Sequence, residues 1–483
     1  MCLIKIRLPA SFRPMTEDKA GKNPSREQRT RPTTLHWTAN EFKPSLMTGH
    51  HSAAQRIRED LIALKQDRTT YIRSADVLTK YEELCDVLRA HQQQYGIDAV
   101  TGGGEESAEQ LESEHLLDDC FLLISLLFLT IGRNIEPPAL YAPCVIIKRL
   151  MHHLVESGSF SNKDLVQVHE TLRQFKETVA HNGSTHDLRI VALIDEKIKA
   201  CDEELKPLQE KLDKISPDLL GVHERLVSLR RCIKAAEAKK KFSASEVRGY
   251  LDQIKQIDAT KIDGKFVGDD GSIPEMGQDL VQLVLERCYT MADEALTRQG
   301  AIAPGISHYA DQLFKIKSKL EKLELTQAWS LRETDLYDYM TTLMKIDDER
   351  VNGKFVGQDG TAPEQGQSII MYLLRRSYAH IYTLMISSEP VSEALTPIFN
   401  QLKTVQSCLK EVQKFGISDP RELYPYSMKL TSIDNMRVDG KFMVENDIPE
   451  GQGRVASLLA ECFEMCQELR VATLDKSGDS PAP

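Results

Sequence analysis

The chain reads as all-α, built from tandem helical repeats of about 88 residues in the order helix, helix, hairpin loop, helix, stacked as a bundle or a short solenoid. One observation is a block repeated three times. The stretch from Lys261 to Gln278 returns from Arg350 to Gln367 and again, two residues shorter, from Arg437 to Gln452. Its glycines Gly264, Gly353 and Gly440 stand 89 and 87 residues apart (353 − 264 and 440 − 353). The other observation is that the flanks repeat by spacing rather than identity. Val247, Tyr250, Ile254 and Ile257 precede the first loop as Leu336, Tyr339, Leu343 and Ile346 precede the second and Leu423, Tyr426, Leu430 and Ile433 the third, each set being one helix stripe. Leu226, Leu229 and Ile233 match Leu313, Ile316 and Leu320, and Leu402, Val405 and Leu409, further upstream. After the loops, Val281, Val284, Leu285 and Cys288 match Ile370, Leu373, Leu374 and Ser377, and Val455, Leu458, Leu459 and Cys462.

Taken in order, residues 1–52 are rich in Pro, Thr, Arg and Lys without a sustained period, and are expected to be a disordered basic arm. Met15 and Met47 offer alternative starts that would leave much of this arm outside the protein. Residues 53–203 form an N-terminal helical region. Helices are expected at 53–66, 74–94 and 114–131, with a flexible acidic loop around 101–109. Pro137 and Pro138 then break the chain before a helix at 141–155, and Ser161 to Asp164 read as a cap for the helix carrying Leu165, Val168, Leu172 and Phe175. With Asn182-Gly183 standing where the Asp-Gly turns stand, this part is expected to hold a fourth, decayed unit. Full units occupy 204–300, 301–389 and 390–472. Their second helices are announced by the capping boxes Ser243 to Glu246 and Ser330 to Glu333, and by Ser418-Asp419-Pro420. Residues 473–483 are expected to be a disordered tail.

The formal charge of −11 argues against a general nucleic-acid binder, and the acidity lies outside residues 1–34, which carry eight Lys or Arg against three Asp or Glu. Ten cysteines without a Cys-x-x-Cys pair suit small buried residues in a reducing compartment. The longest apolar run, Cys120 to Ile131, is roughly 18 Å long as a helix, too short for a bilayer, so a buried core helix and no membrane span are expected. The first sixteen residues have Lys and Arg and no acid, as a mitochondrial presequence does, but Pro9 and Pro14 work against a helix there.

The repeated loop carries the candidate functional residues. Asp263-Gly264, Asn352-Gly353 and Asp439-Gly440 suit a type I′ turn, and Ile262 with Phe266, Val351 with Phe355, and Val438 with Phe442 would complete a minimal hairpin that tucks one aromatic against the helices. Pro274, Pro363 and Pro449 would open the third helices, with Gln278, Gln367 and Gln452 following. On this reading the loop is a structural corner. A calcium loop competes, since Asp348 and Asn352, or Asn435 and Asp439, sit at first and fifth positions with glycine sixth, but Lys261, Arg350 or Arg437 stands where a third ligand is required. Anion or phosphate binding is a further reading, with those cations and Lys265, Lys354 and Lys441 flanking each turn, against local pairing with Asp258, Asp347 and Asp434. Docking of a protein partner along three like loops is another. His152-His153, His169-Glu170 and His181 to His186 lack metalloprotease spacing, and no nucleophile-elbow, kinase or dinucleotide motif is present, so no metal, cofactor or catalytic residue is assigned.

At the Asp-Gly-Lys-Phe-Val and Pro-x-x-Gly-Gln blocks the chain resembles a mainly fungal family classed as a domain of unknown function (the 2408 type), over about residues 55–472. The resemblance implies a mostly helical protein of cytoplasm and nucleus, with no activity or cofactor to carry over. The expected role is therefore non-catalytic: protein interaction or scaffolding, with unnamed protein partners. The alternative is an anion-binding protein or an enzyme whose dispersed site the loops would form, which requires a pocket fed by several units.

Overall fold

A computed structural model of the chain describes residues 49–95, 108–268, 271–327, 331–417 and 419–478. Most of the basic arm, most of the acidic loop at 101–109, the cap residues Ser330 and Ser418, and the last five residues of the tail lie outside the described residues. The fold is all-α, with fifteen α-helices and one two-residue ladder among the described residues.

The helices group in threes. The first three are α1 (Gly49–Gln66), α2 (Ser74–Tyr95) and α3 (Ala108–Thr130), followed by α4 (Tyr141–Ser157), α5 (Asn162–Asn182) and α6 (Leu188–Leu212). Then come α7 (Pro217–Glu237), α8 (Ala244–Ala259) and α9 (Gln278–Arg298), and α10 (Ser307–Lys322), α11 (Leu336–Asp348) and α12 (Gln367–Ile386). The chain closes with α13 (Thr396–Phe415), α14 (Tyr424–Asp434) and α15 (Gln452–Gly478). In every trio the first helix packs on the third, α1 on α3 through α13 on α15. A small buried side chain marks each crossing. Cys120, Cys201, Cys288 and Cys462 direct Sγ at the carbonyls of Ala54, Cys144, Leu226 and Leu402 in the facing helix, at 3.6, 3.3, 3.5 and 3.7 Å. Ser377 holds the same place in α12 and donates to Leu373 of its own helix. A thiol is small enough to let two backbones approach and is itself a weak donor.

Five modules therefore build the molecule, and the helices before Thr130 form one of them. The modules do not follow one another in a row. α12 packs on α4 and α7, and α3 packs on α4, on α11 and on the 3₁₀ turn Glu333–Asp335, so module 4 touches modules 1, 2 and 3. That is a bundle, not a solenoid in which each repeat meets only its neighbours. α12 is its axis: fifteen of its twenty residues are buried. Modules 1–4 share one apolar core, while module 5 has its own, built from Leu395, Leu402, Leu430, Phe442 and Leu458 among others.

Several local expectations are corrected. Position 204 falls inside α6, which runs unbroken to Leu212. Asn182 ends α5 and Gly183 opens a 3₁₀ turn with φ of −62°, so no left-handed turn stands there. Ser243 makes no side-chain cap, because Glu246 turns to Lys239 and Tyr250 instead. At the third unit Asp419 forms a capping box with Glu422. Ser161 and Asp164 do form theirs. α15 continues to Gly478, past the start of the supposed tail.

Candidate functional site

Each repeated loop closes in the same way. Asp263, Asn352 and Asp439 have φ of 50°, and Gly264, Gly353 and Gly440 have φ of 75–77°, the two left-handed positions of a type I′ turn. Backbone pairs Ile262 with Lys265, Val351 with Lys354, and β1 (Arg437–Val438) with β2 (Lys441–Phe442) complete the hairpins. The following aromatics Phe266, Phe355 and Phe442 are buried.

The glutamine ten or twelve residues on locks this shape. Gln367 Oε1 accepts from Phe355 N at 2.8 Å while its Nε2 donates to the carbonyls of Phe355 (2.7 Å) and Pro363 (2.9 Å). Gln278 makes the same three bonds to Phe266 and Pro274, and Gln452 to Phe442 and Pro449. One amide thus satisfies both backbone groups of the buried phenylalanine, which would otherwise have no partner.

The prolines do not open the third helices. α9, α12 and α15 begin at the glutamines, and Pro274, Pro363 and Pro449 lie three or four residues earlier as acceptors for the glutamine amide. The residues between are needed because Gly277, Gly366 and Gly451, with φ of 91–97°, press on the segment entering the module's first helix. A Cβ there would come within 2.7 Å of Ile215 or Val391 Cα, or of the Ile302 side chain. Beside each glycine, Ser216, Ala303 and Ser392 donate backbone N–H groups to Met276, Gln365 and Glu450. First and third helices are clasped at their starts.

Most of the repeated residues are thereby used by folding. What remains outward is the hairpin tip: Lys265, Lys354 and Lys441 are exposed, and so are Ile262, Val351 and Val438, each about half accessible. The first cation of each loop is engaged locally. Lys261 pairs with Asp258 at 2.7 Å and lies 4.6 Å over the Phe266 ring, and Arg437 pairs with Asp434 at 2.5 Å.

The second loop differs, and sequence reasoning did not find why. α4 places Arg149, His153 and Glu156 on one face, against the end of α11, the second loop and α12. Arg350 meets Asp347 and Glu156, both at 3.0 Å; Arg149 meets Asp347 and Asp348; and Arg375, almost fully buried, meets Glu156 at 3.5 Å. His153 Nε2 lies 3.0 Å from both Asp347 oxygens. Burial drives the His153 pKa down, helped by the charges of Arg375 and Arg350 against the pull of Asp347, so the imidazole is neutral. Burial works to raise Asp347, but the His153 hydrogen bond and the charges of Arg350 and Arg149 prevail and hold its carboxyl well below the usual range. Three guanidinium groups face three carboxylates, so the cluster has no surplus charge for an anion. His153 Nδ1 and the Tyr378 hydroxyl, both buried, have no hydrogen-bond partner among the described residues. The available signal was the spacing of Arg149, His153 and Glu156 along one helix face. A second buried pair, Arg231 with Asp164, joins α7 to the start of α5 beside His223. Among the described residues no three His, Cys, Asp or Glu side chains gather to hold a metal, and no helix is long and apolar enough to cross a membrane.

Fold and site together define a modular helical bundle whose recurring loops fasten its last three modules shut. A family model described as protein of unknown function (DUF2408) matches residues 212–333, from the end of α6 through α10. A CUB1 family protein of Schizosaccharomyces pombe is 36% identical over 423 residues, covering 86% of this chain and 90% of its own. The Cu(2+) suppressing and bleomycin sensitive protein 1 of Saccharomyces cerevisiae is 35% identical over 497 residues, covering 88% of this chain and 90% of its own. The chain belongs to the CUB1 family. No solved structure matches it.

Proposed function

We propose that this chain is a non-catalytic scaffold of cytoplasm and nucleus that works by binding other proteins. The observation that carries the reading is the repeated outward face of the loops. Folding accounts for the aromatic, the glutamine and the glycines, yet a lysine and a half-exposed Ile or Val recur at the same hairpin positions in three modules. An exposed apolar side chain beside a cation, repeated on a rigid mount, suits a protein contact better than solvation alone. The competing anion reading is weakened because Lys261, Arg350 and Arg437 are already paired with carboxylates.

The S. cerevisiae relative has copper suppression and bleomycin sensitivity in its name. A scaffold role would put this chain in the cell's response to those agents rather than in their chemistry.

The test is affinity purification of the intact protein with mass spectrometry, alongside the Lys265→Glu/Lys354→Glu/Lys441→Glu variant. Stoichiometric partners that are lost from the folded variant support the loops as the contact. Partners that persist would remove the loops from the argument, and the absence of any stoichiometric partner would end the scaffold reading.

A further inference from the structure

Modules 3–5 carry the same block and helix order, so one module's surface can be judged by what covers the same place in another. Leu336 and Leu423 are equivalent, and the next residues are Tyr337 and Tyr424. In module 4 this place is occupied: α3 lies over α11 and the turn before it, where Thr334 and Tyr337 are buried, and Met385 of α12 is buried as well. α3 brings an acid with it, since Asp119 sits beside the Tyr337 hydroxyl and, after burial itself, is the main charge raising its pKa. In module 3 the same place is uncovered, and it carries an exposed Arg248, as a solvated face should.

Module 5 combines the two cases. It has the residue type of the covered module and no cover among the described residues. Tyr424 is 66% exposed and Met428, one turn on, is 52% exposed, where the equivalents of Met428 are the polar Asp252 and Thr341. A groove lined by Pro420, Arg421, Tyr424 and Arg470 runs between the start of α14 and α15. Arg421 and Arg470 stand where module 4 has Thr334 and Met385. Their guanidinium groups make no ion pair among the described residues, because the neighbouring acids Asp419 and Glu422 are turned back onto backbone N–H groups as a capping box.

We propose that this groove docks an acidic amphipathic helix of a partner protein, held as module 4 holds α3. The apolar stripe of that helix would cover Tyr424 and Met428, and its carboxylates would meet Arg421 and Arg470. This rests on the interaction reading above and names the kind of partner.

The experiment is phage-display selection of 16-residue peptides against the full chain, with the Arg421→Glu/Arg470→Glu variant as the parallel target. Enriched peptides are then measured by fluorescence anisotropy, with circular dichroism to show that the variant is folded. The expected peptides carry Leu, Phe or Met at i, i+3 or i+4, and i+7, and a net negative charge. Their affinity falls at least about tenfold on Arg421→Glu/Arg470→Glu or on Tyr424→Ala, and it weakens as salt is raised. No enrichment, peptides without acidic residues, or equal binding to the charge-reversed variant would overturn the proposal. So would a self-association in sedimentation velocity that the variant abolishes, since a second copy would then be the occupant. A failed groove with a sound scaffold is recognisable, because the partners purified with the intact protein would then persist on Arg421→Glu/Arg470→Glu.

Discussion

Replacing Gln367 by Met keeps the length and volume of the side chain and removes only the amide. Both backbone groups of Phe355 then lose their partners in a buried setting, and Pro363 loses one more at the edge. An unsatisfied buried backbone group costs about 1–3 kcal/mol, so the pair implies a loss of about 4 kcal/mol, a large share of a typical domain's stability. The corresponding bonds of Gln278 and Gln452 are only part-buried, and water can take them over, so those replacements should cost about 1–2 kcal/mol. Urea unfolding followed by circular dichroism at 222 nm reads the order directly: Gln367→Met well below Gln278→Met and Gln452→Met. If the glutamines existed to contact a ligand, all three variants would unfold with the parent. Three midpoints indistinguishable from it would refute the clasp.

The same asymmetry should appear in the cations: Arg350→Ala strips a buried network and should cost about 3–5 kcal/mol, while Arg437→Ala, at a partly exposed pair, should cost under about 1 kcal/mol. Equal midpoints in urea would show the central network to be idle. Among the glycines, Gly277→Ala forces a Cβ into Ile215 and should cost several kcal/mol by calorimetry, whereas Gly264→Ala points into open space and should cost only the left-handed strain of about 1 kcal/mol. His223 and His153 give a pH test. Burial pulls His223 down to about 4, aided by Arg230 and Arg231 against Asp164, and His153 moves the same way. Both are neutral in the fold but take a proton when unfolded below about pH 6.5, so stability is full above that pH and falls as pH drops towards 4. The His223 share is on the order of 3 kcal/mol at the acid end, and His223→Leu should flatten the slope in urea titrations at pH 7, 5.5 and 4.5. An unchanged slope would contradict it.

The hairpins were legible because their chemistry is local. Asp-Gly or Asn-Gly between apolar neighbours has few low-energy shapes whatever surrounds it, and the helix stripes of α8, α11 and α14 follow from spacing alone. The misread prolines and the missing Ser243 cap show where local rules lose. Pro-Glu-x-Gly resembles a helix start, but the glycine has to fold back on the preceding segment before the helix can begin, and Glu246 finds Lys239 nearer than the backbone.

The residue pattern by itself determined an all-helical chain with three like corners, since turn type and periodicity depend only on neighbours in sequence. The tertiary structure alone decided that the helices before Thr130 form a fifth module, that α12 runs through the centre, and that one of three equivalent cations is tied into an ion-pair network with α4. Those outcomes depend on which faces meet across hundreds of residues: Arg350 and Arg437 occupy the same place in their loops, and only the approach of α4 with Glu156 makes them different.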